Sequence, residues 1–390
     1  MNSIAKKRIE SLDLLKGLVI IIMAIDHVRD YFHYSSYFFD PTDPALTTVP
    51  IFLTRFITNF CAPAFSFLAG LSAFIIGKRK TLNELSGFLV KRGLWLVFIE
   101  LIIINFGWHF DVHFGEIVFQ VIWALGISMI FLAALIHLPK KYLIIFSCVL
   151  IFGHNLLDAT HFEGNVLWSF IHERKLYNIT PGLIIRINYP VIPWIAVMSL
   201  GYSFGIFYEK SFDPLKRKKI FNRIGIGALA LLLILRGTNL YGNLLPWKNY
   251  GNIKQNLFSF FNLTKYPPSL SFLLLTLGVS LLFLANTEKL KGKFVNFFCV
   301  FGRVPFFFYI IHIYLIHFLA LLAAGLTGFG WQNMATAAMP YRVEALKGFG
   351  FGLITVYLIW IGVILFLYPV CKAFDNYKQN NKDKWWLSYL

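Results

Sequence analysis

The sequence predicts an all-α integral membrane protein, a polytopic bundle of about ten transmembrane helices with both termini cytoplasmic. Three observations predict it. Hydrophobic residues make up 57% of the 390 and charged residues only 14%, against about 25% charged in soluble domains. Apolar segments recur from Leu12 to Cys371 with no polar stretch long enough for a separate domain, so residues 1–390 read as one membrane domain. Lysine and arginine crowd alternate connections between those segments.

A helical span needs about 20 apolar residues, which places spans over 12–31, 50–77, 87–108, 117–138, 142–157, 189–208, 221–238, 269–286, 304–325 and 348–371. The first follows the basic cluster Lys6, Lys7 and Arg8 and lacks a small-residue cleavage site after a short apolar core, so it reads as a retained helix. Alternate connections then hold KKR, KRK, KK, EKSFDPLKRKK, EKLKGK and a Lys-rich tail, twenty basic residues in all, against eight in the longer connections between them. By the positive-inside rule the richer set, and both termini with it, is cytoplasmic. The connections 158–188, 237–268 and 326–347 face outward, and their Trp, Tyr, Asn and Gly content suits contact with sugars or other polar acceptors, although aromatic residues also populate membrane interfaces.

Several function classes drop out. The net charge is +17, but the basic residues are scattered and form no single stripe, so nucleic acid is not an expected partner. Cys61, Cys148, Cys299 and Cys371 lie in or beside apolar segments without CxxC spacing and carry no disulfide or metal signal. No internal repeat and no Gly-rich phosphate loop is present, which counts against a nucleotide-driven pump.

One stretch, MAIDHVRDYFH over 23–33, interrupts its span with charge. An ionised residue at mid-bilayer costs about 2.5–3.5 kcal/mol, so Asp26, Arg29 and Asp30 are expected to face protein or water. On a helix Asp26, Arg29, Asp30 and His33 share one face, with His27 one position round and Asp30 within its i+3 reach. At 1.5 Å per residue His27 lies about 22 Å from Leu12, in the outer half of the membrane. The alternative is a helix that stops near Ile25 and leaves these residues at the interface. Arg55, Glu100, Asn105, His154, Asp158 and Arg236 come out at the same depth, and ionisable residues gathered at one depth usually line a cavity. A structural ion pair of Arg55 with Asp26 or Glu100 is the competing reading.

A second cluster is FGRVPFFFYIIHIYLIH over 301–317. Arg303 at its inner start either snorkels to lipid phosphate or binds a phosphorylated ligand such as coenzyme A. Lys16 and Arg92 join it in an expected basic, donor-side pocket, and His312 is counted with that set. His312 and His317 are five apart and do not form an i, i+4 metal pair, so no metal site is expected.

The opening R-x-x-S-x-D-x-x-K-G of residues 8–17, the apolar run after it and His27 resemble the transmembrane acyltransferases related to heparan-α-glucosaminide N-acetyltransferase, and the broader acyltransferase-three group. FSFLAGLSAF from Phe65, VIWALGISMI from Val121, YPVIPWIAVMSLGYSFG from Tyr189, KYPPSLSFLLLTLG from Lys265 and GRVPFFFYIIH from Gly302 are similar to bacterial members, so the resemblance spans nearly the whole chain. It implies a multi-pass protein of the bacterial inner membrane. Acyl-coenzyme A, in particular acetyl-coenzyme A, is the implied co-substrate, with no permanently bound cofactor and a carbohydrate or glycolipid acceptor. The signature histidine falls on His27 and the signature arginine on Lys16, which keeps the charge and loses the bidentate fork. In the glucosaminide branch the working histidine lies further out, where the nearest residue here is His33.

The chemistry agrees with the resemblance. Transfer from a thioester to a hydroxyl or amine needs a base, which His27 supplies, with Asp26 or Asp30 to orient the ring. The alternative of another class is a proton-coupled secondary transporter or flippase that uses Asp26, Glu100 and His27 as a proton relay. Against it, no pair of Gly/Pro-broken segments recurs in two halves of the chain.

Overall fold

The computed structural model describes residues 9–388 and is mostly helical. The cluster Lys6, Lys7 and Arg8 lies outside the described residues. Helix α1 (Glu10–Phe32) takes up the first apolar run, with Glu10 and Asp13 in its first turn and Arg29 in its last, each favourable to the backbone dipole. It runs unbroken through Asp26, His27 and Asp30, so these residues do not lie beyond a helix end near Ile25.

The second apolar run divides into α2 (Val49–Ile57), a short 3-10 turn and α3 (Cys61–Gly77). The third becomes α4 (Leu82–Ile99), a π-helical turn over Glu100–Ile104 and α5 (Asn105–His109), which Phe110 ends at φ 45°. Thr81 and Glu84 exchange hydrogen bonds across the start of α4, satisfying two backbone N–H groups that the helix leaves unpaired. There follow α6 (Val121–Leu135), α7 (Lys140–Gly153), the short α8 (Val166–Ile171), α9 (Ile192–Phe204), α10 (Pro214–Thr238), α11 (Ile253–Phe261), α12 (Leu270–Thr287), α13 (Lys293–Arg303), α14 (Pro305–Leu326) and α15 (Leu353–Asn380). Pro305 sits in the first turn of α14, where its missing N–H costs nothing.

Among the described residues six helical stretches are long and apolar enough to cross a membrane: Val49–Gly77, Lys140–Leu157, Pro214–Thr238, Leu270–Thr287, Pro305–Leu326 and Leu353–Asn380. Two shorter apolar ones are Val121–Leu135 and Ile192–Tyr208.

Reciprocal glycines dock four helix pairs among the described residues. A Cβ on Gly17 of α1 would stand 1.9 Å from the Phe298 carbonyl oxygen of α13, and one on Gly302 would stand 1.8 Å from that of Asp13. Gly70 of α3 and Gly201 of α9 are closed in the same way by the carbonyls of Met198 and Phe67, at 1.9 and 2.0 Å. Gly93 of α4 faces Gly126 of α6, and Gly225 of α10 faces Gly278 of α12, each against the other's carbonyl oxygen. Lipid offers helices little hydrophobic reason to associate, so backbone approach through small residues supplies the packing contact.

One end of the bundle carries a small sheet in the order β1-β3-β2, from β1 (Glu116–Phe119), β2 (Lys175–Thr180) and β3 (Leu183–Ile187). β1 pairs parallel with β3, Glu116 opposite Ile184, and β2 pairs antiparallel with β3. The helix expected over 117–138 therefore begins only at Val121. A strand's backbone groups need a partner strand, which lipid cannot provide. Glu116 is fully buried between Arg186 at 2.5 Å and Arg342 at 3.1 Å, which ties the sheet to the connection before α15.

Polar contacts sort the connections into two ends. At the Lys/Arg-rich end Lys78 pairs with Glu209, Arg217 with Glu288, and Arg303 with Asp375 at 2.6 Å. At the sheet end Asn262 donates to the Thr42 carbonyl at 3.1 Å, and the Leu270 N–H donates to Asn155 at 2.8 Å. These groupings match the two sets of connections that the charge pattern separates.

Candidate active site

The charged stretch of α1 folds around a buried ion network. Asp26 lies 2.7 Å from Arg29 and 2.8 Å from Arg55 of α2, and Arg29 also pairs with Asp30 at 2.8 Å. Arg55 thus meets Asp26 and not Glu100. Removing one partner from such a network strands the others and costs about 3–5 kcal/mol. Asp26 is therefore committed to two arginines, and Asp30, 32% exposed, is the more open carboxylate.

The ring partner of His27 is a histidine. Its Nδ1 lies 2.8 Å from Nε2 of His312 on α14, and Nδ1 of His312 lies 2.9 Å from the Phe308 carbonyl oxygen. A carbonyl only accepts, so Nδ1 of His312 carries its proton and Nε2 of the neutral ring accepts. Nδ1 of His27 must then donate, which leaves the lone pair of the neutral ring on Nε2. Sequence reasoning expected Asp26 or Asp30 in this orienting position and His312 on the donor side with Arg303. His312 stands seven residues beyond Pro305, about 10 Å along α14 from the helix start next to Arg303, and is fully buried beside His27.

His27 faces a cavity of about 90 Å³ whose walls include Asp26, Asp30, Trp108, Lys265, Tyr266 and Tyr309. The Trp108 ring meets the imidazole edge-on at 4.7 Å and Tyr309 does so at 6.2 Å. Asp30 also lines an adjoining vestibule of about 330 Å³ with Arg29, Ser36, Asp40 and Tyr341. Asp30 is the one residue that lines both spaces.

The other expected residues go elsewhere. His33 follows the last turn of α1, is buried, and lies in a backbone bridge to Phe351 with its ring on Tyr34 at 4.8 Å. Lys16 donates to Ser72 of α3 at 3.2 Å, and Arg92 is half-buried on α4. Arg303 turns to the buried Asp375 of α15. The polar residues expected to share one cavity are divided among separate tasks, and only Arg55 joins the His27 cluster. Glu100 accepts from the Ile122 and Trp123 N–H groups at 2.8 and 2.9 Å and caps α6, while Asn105 bonds the backbone of β1. Asp158 accepts from His172, His154 sits against the Pro268 carbonyl, and Arg236 donates to the carbonyls of Leu245, Ser259 and Phe260.

Trp108, Lys265, Tyr266 and Tyr309 were not foreseen as site residues. Lys265 and Tyr266 belong to KYPPSL and Tyr309 to GRVPFFFYIIH, stretches distinctive as patterns, whereas Trp108 resembles any aromatic residue at a membrane interface. Among the described residues no group of His, Cys, Asp and Glu is arranged to hold a metal ion.

A family model described as "Heparan-alpha-glucosaminide N-acetyltransferase, catalytic" matches residues 8–238, the part of the chain that carries His27 and Trp108. A comparison with curated proteins gives no match.

Proposed function

The chain belongs to the heparan-alpha-glucosaminide N-acetyltransferase catalytic family, and on that premise we propose that it is a membrane-embedded acyltransferase. It moves an acyl group, acetyl first among them, from cytoplasmic acyl-coenzyme A to a hydroxyl or amine of a carbohydrate or glycolipid on the outer side. In this reading residues 1–390 form one domain of about ten spans. The Lys/Arg-rich end and both termini are cytoplasmic, and the membrane is the bacterial inner membrane.

The observation that carries the proposal is the array from His27 through His312 to the Phe308 carbonyl, which leaves Nε2 of His27 as a base beside the cavity. His27 takes the acceptor proton and returns it to the departing thiolate. His312 is a positioning residue that fixes the tautomer. Asp30, at the junction of vestibule and cavity, receives the acceptor, and Asp26 balances the imidazolium across the ion network. Arg303, Lys16 and Arg92 hold the donor phosphates at the inner end. Because Arg303→Ala would take the ion-pair partner from the buried Asp375, Arg303→Lys is the sounder probe of that contact.

The test is labelled acetyl-coenzyme A supplied to the cytoplasmic face of vesicles with a membrane-fraction acceptor. Label is expected in an outer-side product, and His27→Ala is expected to lower transfer by about 10²–10⁴, with a loss of detergent stability limited to about 1–3 kcal/mol from the partner it strands on His312. Full activity in His27→Ala together with loss in His33→Ala would move the base outward. Gradient-driven solute uptake without label would favour the transporter.

A further inference from the structure

Trp108 owns a polar group that the fold leaves short of a well-formed hydrogen bond, with only the Tyr309 phenol near it. The residue is 4% exposed, and its indole N–H is buried without an acceptor at hydrogen-bonding geometry. An unmade buried donor costs about 1–3 kcal/mol, which a native fold rarely tolerates without return. Trp123 and Trp194 also keep unused indole N–H groups. Of the three, Trp108 alone is among the lining of the cavity beside His27, and its N–H faces the phenol of Tyr309.

The donor is held rigidly. Tyr31 of α1 donates to the Trp108 carbonyl at 2.5 Å, and the two rings stack at 5.8 Å. Nδ1 of His317 lies 2.9 Å from the Gly107 carbonyl oxygen, and Tyr314 donates to that of Ile103 at 2.7 Å, so α14 grips the backbone before Trp108. The π-helical turn of Glu100–Ile104 rotates this end of the span relative to α4, and such turns gather at functional sites.

We propose that the Trp108 indole N–H, with the Tyr309 hydroxyl beside it, receives the oxyanion of the tetrahedral intermediate; this rests on the acyltransferase reading. The acceptor oxygen or nitrogen bonds to the thioester carbonyl carbon while Nε2 of His27 takes its proton. The carbonyl π pair moves onto oxygen, where the two donors bind it. The pair then returns, the carbon–sulfur bond breaks, and the proton on His27 passes to the thiolate. A fixed donor, already desolvated, spends no reorganisation when the charge appears.

Trp108→Phe keeps an aromatic ring against Tyr31 and His27 and removes the N–H together with part of the indole ring. With acetyl-coenzyme A, kcat is expected to fall by about 10²–10³, with KM for donor and acceptor changed by no more than about twofold. Trp108→His, which restores a ring N–H, is expected to recover part of that loss. Trp108→Phe with kcat unchanged, or the two variants equally slow, overturns the assignment. A wild-type protein that transfers no acyl group overturns the acyltransferase reading as well, so the two failures are distinguishable.

Discussion

Nδ1 of His27 and Nε2 of His312 meet across 285 positions of sequence, and the direction of their hydrogen bond decides which nitrogen of His27 can act. Replacing His312 by leucine removes the acceptor and frees the other tautomer. A glutamine can donate its amide to the Phe308 carbonyl and accept from His27. His312→Leu is therefore expected to lower kcat by about tenfold or more with little change in KM, while His312→Gln keeps most of the rate. Steady-state kinetics on the two variants checks this, and equal loss in both would remove His312 from its positioning role. The Asp26–Arg29 pair was legible in the sequence, because i, i+3 spacing brings such side chains together on any helix. The His27–His312 contact was not. Spacing along one span fixes depth but not which neighbouring helix a side chain meets.

At the scale of elements, the apolar runs located the helices, because about 20 apolar residues admit few other structures. They did not reveal what sits between two runs or at their ends. Three residues of β1, Ile117 to Phe119, read as the first turn of a helix, since a short apolar stretch has no period of its own. The glycine pairs were equally invisible: a glycine facing a carbonyl and a glycine facing lipid look the same in one sequence. Their consequences differ. Gly17→Ala sets a methyl into the Phe298 carbonyl, a clash with backbone that no rotamer relieves, and is expected to destabilise by about 1–3 kcal/mol. Gly227→Ala in α10 meets nothing within 4 Å and is expected to be neutral or stabilising by about 0.4–1 kcal/mol. Thermal unfolding in detergent separates the two, and equal melting temperatures would contradict the close α1–α13 contact.

For the whole molecule, the charge pattern separated the connections into two sets, and the ion pairs of Lys78 with Glu209 and Arg217 with Glu288 join members of one set. The lysine and arginine bias predicts which set is cytoplasmic. Cysteines placed at Lys80 or Lys293 are expected to label only from the cytoplasmic side, and cysteines at Asn165 or Asn252 only from outside. Outside labelling at Lys80 would invert the molecule and the donor side with it. The charged cluster of α1 was legible because charge is costly in lipid. The vestibule, and the sharing of Asp30 between it and the cavity, depend on the connections folding back over the bundle, which no local pattern encodes.

The hydrogen-bonded pair of histidines also bears on where a proton can travel inside the bundle. A chain of rings conducts protons only when each member hands its proton to a further titratable group. Here the chain stops at the Phe308 carbonyl, an oxygen that accepts a hydrogen bond and passes nothing on. A proton collected on His27 can therefore return only by way of the cavity from which it came. Ionisable side chains are buried along α1, yet this array hands no proton on beyond Phe308.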